Sequence, residues 1–588
     1  MGLQGLDWGI IIAYFVASLL IGIFVSKTSG KSVAEFFLSG RNMPWWLLGV
    51  SMVATTFSAD TPNLVTDIVR NHGVRGNWMW WAFLLTGMMT VFVYAKLWRR
   101  TGILTDLEFY EMRYGGKAAS FLRGFRAVYL GFFFNVMIMA TVCLAAIKIG
   151  NVLMGLAPWQ TLLFSGVITV AYTMIGGFKG VLFTDFFQFM LAMGGMVAAA
   201  IFLVHKPEIG GLTHLLTNPR VQGAMAVFPD WGNPKEWIPI FLIPIAVQWW
   251  SSWYPGAEPG GGGYIAQRML AAKNEKHAMG ATLLFNIMHY ALRPWPWIII
   301  ALCSMIIFPT VGDIARLLPH VDPSIIKDDL AFPAMLTFLP TGLLGLLVAA
   351  LIAAFMSTIS THLNWGSSYI VNDFYKRFLN PDASEKKLVG LARWSTLGLM
   401  IVASLVATQL NSALEAFNIL LQIGAGTGLI FILRWFWYRI NVWSEISGMV
   451  ISFLTAIYFE WGYTGQMDSS EKLVVGVLLT TIGWITVTLL TKPESDAVLL
   501  KFYQQVKPHA LGWDKWLKAK GVSIQTNAGA GFGYEILAMI LGCLMVYGYL
   551  FGMGYWIYGE GLHAAMWFVV GIVASFSLWK MWGRLSFS

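Results

Sequence analysis

Ala353-Ala354-Phe355-Met356-Ser357-Thr358-Ile359-Ser360-Thr361-His362-Leu363-Asn364 lies at the centre of a long apolar run from Leu343 to Tyr375. At about 100° per residue, Ser357, Thr358, Ser360 and Thr361 cover an arc of roughly 160°, one polar face on an otherwise apolar helix. Hydroxyl and carbonyl oxygens with no carboxylate among them suit a weakly held monovalent cation, sodium first, whereas divalent ions recruit charged ligands. The same residues also bond back to the preceding turn or let membrane helices pack closely, and the run alone leaves both readings open.

The surroundings of this helix are those of a polytopic membrane protein. The chain of 588 residues is 57% hydrophobic and 12% charged, with 28 Trp and 40 Phe. Such a composition is foreign to a soluble domain. Apolar runs long enough to cross a bilayer recur from end to end, and fifteen can be counted: 7–26, 45–70, 77–97, 120–150, 158–178, 183–204, 236–256, 277–309, 335–372, 387–407, 412–438, 442–462, 470–491, 534–556 and 562–583. No Lys or Arg precedes the first run, Asp7 does, and Lys27 and Lys31 follow it, which is not the pattern of a cleaved signal. With the N-terminus outside and the C-terminus cytoplasmic, most Lys and Arg fall on the cytoplasmic side. The net charge of +9 then reports topology and contact with anionic membrane lipid, and no basic block points to nucleic acid. Cys143, Cys303 and Cys543 all sit within spans as packing residues, with neither a disulfide framework nor a thiolate cluster.

Two spans are interrupted. The second reads Gly49-Val50-Ser51-Met52-Val53-Ala54-Thr55-Thr56-Phe57-Ser58-Ala59-Asp60-Thr61-Pro62, polar halfway across and closed by a proline that removes a helix hydrogen bond. The seventh ends Gln248-Trp249-Trp250-Ser251-Ser252-Trp253-Tyr254-Pro255-Gly256. Unwound backbone at membrane depth is tolerated where it lines a cavity, and its freed carbonyls can hold a cation. Spans two to six and seven to eleven therefore form an inverted repeat of five plus five helices, the broken helix leading each half. The expected divisions are 1–44, an extra helix and loop; 45–256 and 257–440, the two halves, meeting near 207–235; and 441–588, about four extra spans around a cytoplasmic segment 492–533. That segment mixes Lys501, Lys507, Lys515, Lys518 and Lys520 with Trp513 and Trp516, the pattern of a helix lying on the inner leaflet.

Several single residues carry their own weight. Asp60 is a carboxylate in mid-membrane, either functional or the cap of the second half-helix. Trp78, Trp80 and Trp81 form an interfacial belt or the wall of a pocket, Trp80 being the foremost pocket member. Arg293, beside Pro294 and Pro296, is the one Arg or Lys expected deep in the membrane, and it needs a carboxylate, carbonyls or an anionic solute as partner. Gly260 to Gly263 read as a flexible linker, since no Lys-Ser/Thr follows to make a phosphate loop.

Four ordered runs resemble the sodium/solute symporter family, the family of the sodium/glucose cotransporters, over roughly residues 5–440. They are EFFLSGRNMPWW from Glu35, the GG, TD and Q of Gly176 to Gln188, Gln267-Arg268-Met269-Leu270-Ala271-Ala272-Lys273, and the opening helix itself. The four glycines before Tyr264 depart from the family pattern, as do Trp365 and Gly366. The resemblance implies an all-α LeuT-type core with one extra N-terminal and about four extra C-terminal helices. It also implies a sodium-coupled symporter rather than an enzyme, with Na+ as coupling ion and no other cofactor. Carried over by position, Ala54, Phe57, Ala354, Ser357 and Thr358 match a first sodium site, and Asp185, Ser357, Ser360 and Thr361 a second. Two filled sites would carry two sodium ions per solute. Thr56, Asp60, Thr61, Trp80, Trp253, Tyr254 and His289 match solute contacts, with Arg293 a charge partner or a further contact. The solute is small and polar: a sugar or polyol by family resemblance, an organic cation if Asp60 and Trp80 dominate, a carboxylate if Arg293 does. A transporter-like sensor would need a signalling domain, and an enzyme a catalytic motif; the sequence offers neither, and no protein partner is evident in it. A bacterial inner or plasma membrane is the expected setting.

Overall fold

The computed structural model describes residues 3–251, 258–319, 321, 323, 326–410, 424–522 and 531–585. Among them the regular elements are all helical, as a chain that must satisfy every backbone group inside a bilayer requires. Among the described residues, eleven helices are long and apolar enough to cross a membrane. One, Pro158–Val204, is two passes joined at Gly177, whose φ of 54° and ψ of −156° lie outside helical space. A Cβ added at Gly180 would sit 3.7 Å from the Tyr172 carbonyl oxygen, whereas eight residues of straight helix would separate the two by about 12 Å. The chain therefore doubles back there, and expected spans five and six are both present.

The second span is broken where its sequence is polar. Trp45–Thr56 ends at Phe57, whose amide closes the helix on the Val53 and Ala54 carbonyls; helix resumes at Thr61–His72 with Pro62 in its first turn. Proline there costs no hydrogen bond, because the first amides of a helix have no partner. The seventh span also breaks: its last α-helical turn is Ile243–Ala246, a 3-10 turn follows at Gln248–Trp250, and helix returns at Gly263–Ala271. Residues 252–257 lie outside the described residues, and with them Trp253 and Tyr254.

The helix of Ser357, Leu343–Ser368, runs on to Leu379 and is buried at all four of its central hydroxyls. The first helix, Gly5–Ser29, packs along it: Asp7 accepts hydrogen bonds from the Gly342 and Gly345 amides at 2.7 and 2.8 Å, capping its start. The C-terminal spans appear as Val442–Gly462, Ser469–Leu490, Phe532–Ile557 and Gly561–Trp582; of span 412–438, residues 412–423 fall outside the described residues and Gly428–Leu433 is helical.

Four expectations change. Trp78 and Trp81 are buried, Trp78 packing against Tyr547 and Phe551, so they join core to C-terminal helices instead of forming an interfacial belt. Arg293 has company: Lys96, Arg126, Arg268 and Arg434 are also buried, and each of these four is paired with a carboxylate. The glycine run is no loose linker. Gly260 and Gly261 have φ of 81° and 94°, a Cβ on Gly261 would lie 2.5 Å from Met269, and Trp98 donates to the Gly260 carbonyl at 2.9 Å. Finally, the apolar face of Asp496–Val506 covers protein: Phe502 and Trp513 are buried, and the Arg113 guanidinium lies 5.3 Å from both rings.

Candidate functional site

Three groups of residues meet where the broken second span crosses the Leu343–Ser368 helix. The first is the break itself. Thr358 Oγ1 donates to the Thr55 carbonyl at 2.9 Å and to the Ala354 carbonyl at 3.1 Å, tying the helix to the end of Trp45–Thr56. Ala54 and Phe57 are the terminal residues of that end, and the Phe57 ring is held against Trp297 with centroids 4.9 Å apart. Carbonyls and hydroxyls gather here without a carboxylate, the donor set that suits a monovalent cation.

The second group is charged. Asp185, fully buried, accepts from Ser357 at 2.7 Å and from Ser51 in a short hydrogen bond. Into the same cluster comes Arg268 from the Gly263–Ala271 helix. It donates to Ser51 at 3.0 Å, to Thr55 Oγ1 at 3.0 Å, to Thr361 at 2.8 Å and, more distantly, to Asp185 at 3.4 Å. Asp185, Ser357 and Thr361 are thus brought together, but around a guanidinium. Ser360 is turned away, donating to the Ser357 carbonyl at 3.0 Å. The buried charge of Asp185 has a partner from the chain's own side chains, which is what a buried carboxylate requires.

The third group is a cavity of about 240 Å³ beside the break. Thr56, Asp60, Thr61, Trp80, His289 and Arg293 all line it, and so does Thr358. Trp80 forms one wall, stacked on Tyr290 with centroids 5.9 Å apart and edge-on to His289, its indole nitrogen held by Asn77. His289 stands on a π-helical turn, Met288–Leu292, a backbone irregularity frequent at functional sites. Thr56 Oγ1 and His289 Nδ1 are 3.0 Å apart, and Arg293 reaches the Thr56 carbonyl at 2.6 Å and His289 Nε2 at 2.9 Å.

Arg268 is a site residue that the sequence does not single out. Its signal was present in the Gln267-Arg268 run, but that run reads as a connection between spans. Asn286 and Tyr290, further cavity residues, carry no motif; a Cβ at Gly87 would come within 1.9 Å of Asn286 Oδ1, so the glycine makes room for the amide.

The model of the sodium:solute symporter family matches residues 36–452. The chain belongs to the sodium:solute symporter family. Among the relatives of this symporter chain, the sodium/glucose cotransporter of Vibrio parahaemolyticus is 25% identical over 514 residues, covering 84% of this chain and 92% of the relative. Sodium/glucose cotransporter 1 of Oryctolagus cuniculus is 26% identical, covering 84% and 80%. The sodium/sialic acid symporter SiaT of Proteus mirabilis is 24% identical, covering 80% and 94%. A solved structure of a Na+-coupled sialic acid symporter in a substrate-bound outward-open state matches with a TM-score of 0.69 at 20% identity, covering 84% of this chain and 99% of that one. The symporter's fold is accordingly the LeuT type. It is an integral, multi-pass membrane protein and a sodium-coupled transporter by family, with relatives named as cotransporters and symporters, not enzymes.

Proposed function

We propose that the protein imports a small polar solute by alternating access, driven by one sodium ion held between Ala54, Phe57, Ala354, Ser357 and Thr358. One observation carries this reading: Thr358 bonds the carbonyl row at the helix break and also lines the cavity. An ion ligated there would tie the break to the Leu343–Ser368 helix and stabilise one state of the transporter, preparing the cavity for solute. Coupling is reciprocal, so solute raises sodium affinity by the factor by which sodium raises solute affinity.

Arg268 favours one sodium over two. The oxygens of Asp185, Ser357 and Thr361 already surround a tethered cation, and a second ion would have to displace it at the cost of desolvating another charge. With the N-terminus outside and the C-terminus in the cytoplasm, the distribution of Lys and Arg agrees with the positive-inside rule.

The test is solute uptake into proteoliposomes with and without an inward sodium gradient, with Thr358→Val beside the parent. Accumulation that needs sodium in the parent and disappears in the variant is the expected result. Uptake indifferent to the gradient overturns sodium coupling at this site.

A further inference from the structure

Arg293 and Asp60 line the same cavity, and neither is neutralised by the other. Arg293 is 2% exposed, and its hydrogen-bond partners are all uncharged: the Thr56 carbonyl at 2.6 Å, the Thr56 hydroxyl at 3.1 Å, and His289 Nε2 at 2.9 Å. Its Nε has no hydrogen-bond partner. Among the described residues no carboxylate lies within 4.0 Å of it. Asp60 has no Lys, Arg or His within that distance either, and its Oδ1 is buried without a hydrogen bond. Glu258, another carboxylate on the cavity wall, is taken by Arg126.

Elsewhere in the protein, several buried cations are matched at close range, Lys96 by Glu535, Arg434 by Glu445 and Arg268 by Asp185; Arg113, buried without a carboxylate partner among the described residues, lies on backbone carbonyls and aromatic rings and does not line this cavity. An unpaired buried charge costs several kcal/mol, about 3–5 when one partner of a buried pair is removed; Arg293 is buried and Asp60 half-buried with its Oδ1 shielded, and the two opposite charges stand open on one cavity. A ligand bearing both charges would offset both penalties together. A neutral polyol would offset neither, and a simple anion or cation only one.

Resting on the symporter reading above, we infer that the solute is a small zwitterion, its carboxylate against Arg293 and its ammonium against Asp60. Asn286 narrows the class further. Its Nδ2 donates to the Thr282 carbonyl at 2.8 Å, which fixes the amide's orientation and leaves Oδ1 as a buried acceptor without a partner, on the cavity wall. That acceptor suits an ammonium that still carries N–H, an amino acid more than a betaine. Trp80, Phe285 and Tyr290 supply an apolar wall for its side chain.

Binding to the full-length protein distinguishes the outcomes, measured in sodium and in potassium with alanine, proline and phenylalanine, glycine betaine, the single-charge analogues propionate and propylamine, and glucose and myo-inositol. At least one amino acid should bind in sodium at least tenfold more tightly than glucose and either single-charge analogue. Arg293→Gln should weaken that amino acid at least tenfold while leaving propylamine unchanged. Asp60→Asn should do the same while leaving propionate unchanged, a split that misfolding would not produce. Betaine binding as tightly as the amino acids overturns the assignment of Asn286. Absence of zwitterion binding, or glucose or inositol binding at least as tightly as any zwitterion, overturns the inference as a whole. Sodium alone, added without solute, separates this failure from that of the symporter reading: thermal stabilisation by sodium that Thr358→Val removes leaves the ion site standing, and its absence removes both.

Discussion

Ser357 and Thr358 are neighbours in the chain, yet their hydroxyls serve two different clusters of oxygen. Ser357 donates to Asp185, whose charge is answered by Arg268; Thr358 donates to the Thr55 carbonyl at a helix break with no charge of its own. One residue's rotation on a helix, about 100°, separates them. The contrast separates a structural cluster from the proposed ion site. Where a carboxylate and a guanidinium are both built in, the charge balance is complete and an added cation is unwelcome. Where only carbonyls and hydroxyls converge, the missing charge is free to come from solution.

The sharpest way to break this comparison is Arg268→Met, which leaves Asp185 buried without its cation. The variant should lose about 3–5 kcal/mol of stability, read as a lowered unfolding temperature, and Asp185→Asn added to it should restore most of the loss. Stabilisation of Arg268→Met by sodium but not potassium would show that the second cluster turns into an ion site once the guanidinium is gone. A variant as stable as the parent would sink the ion pair as the organiser of that cluster.

Ser357→Ala should come next. It removes a hydrogen bond to a charged acceptor, worth about 1.5–3 kcal/mol, and deletes a hydroxyl of the proposed ion site, so both stability and sodium affinity should fall. Thr358→Val touches only the uncharged cluster. Its expected effect is at least a tenfold loss of sodium affinity, about 1.4 kcal/mol, with a smaller change in unfolding temperature than Ser357→Ala shows. Reversed rankings of these two variants would exchange the roles assigned to the clusters. Smallest of all is Ser360→Ala, whose hydroxyl bonds within its own turn; its cost should stay within about 1 kcal/mol with sodium affinity unchanged, and a loss of sodium affinity matching that of Thr358→Val would return Ser360 to the ion ligands.

Much of this was legible in the sequence wherever the physics is local. Helix periodicity puts four hydroxyls on one face, Pro62 and the polar run before it dictate the break, and bilayer thickness turns apolar length into spans. Thr56, Asp60, Thr61, Trp80 and His289, with Arg293 as a charge partner, could be gathered into one pocket only through their match to the family's positions, and all six line one cavity. Only the tertiary structure decided which groups answer one another. Arg268 reaches Asp185 across 83 positions, and its depth could not be read from a segment resembling a connection. The burial of Trp78 and Trp81 and the protein-facing side of Asp496–Val506 depended on which surface is covered by protein and which by lipid. Composition is blind to that difference, because an aromatic face satisfies either environment. The charges left open on the cavity were hidden for a related reason: Asp60 and Arg293 are more than two hundred positions apart in the chain, and only packing shows that they face one space without closing on each other.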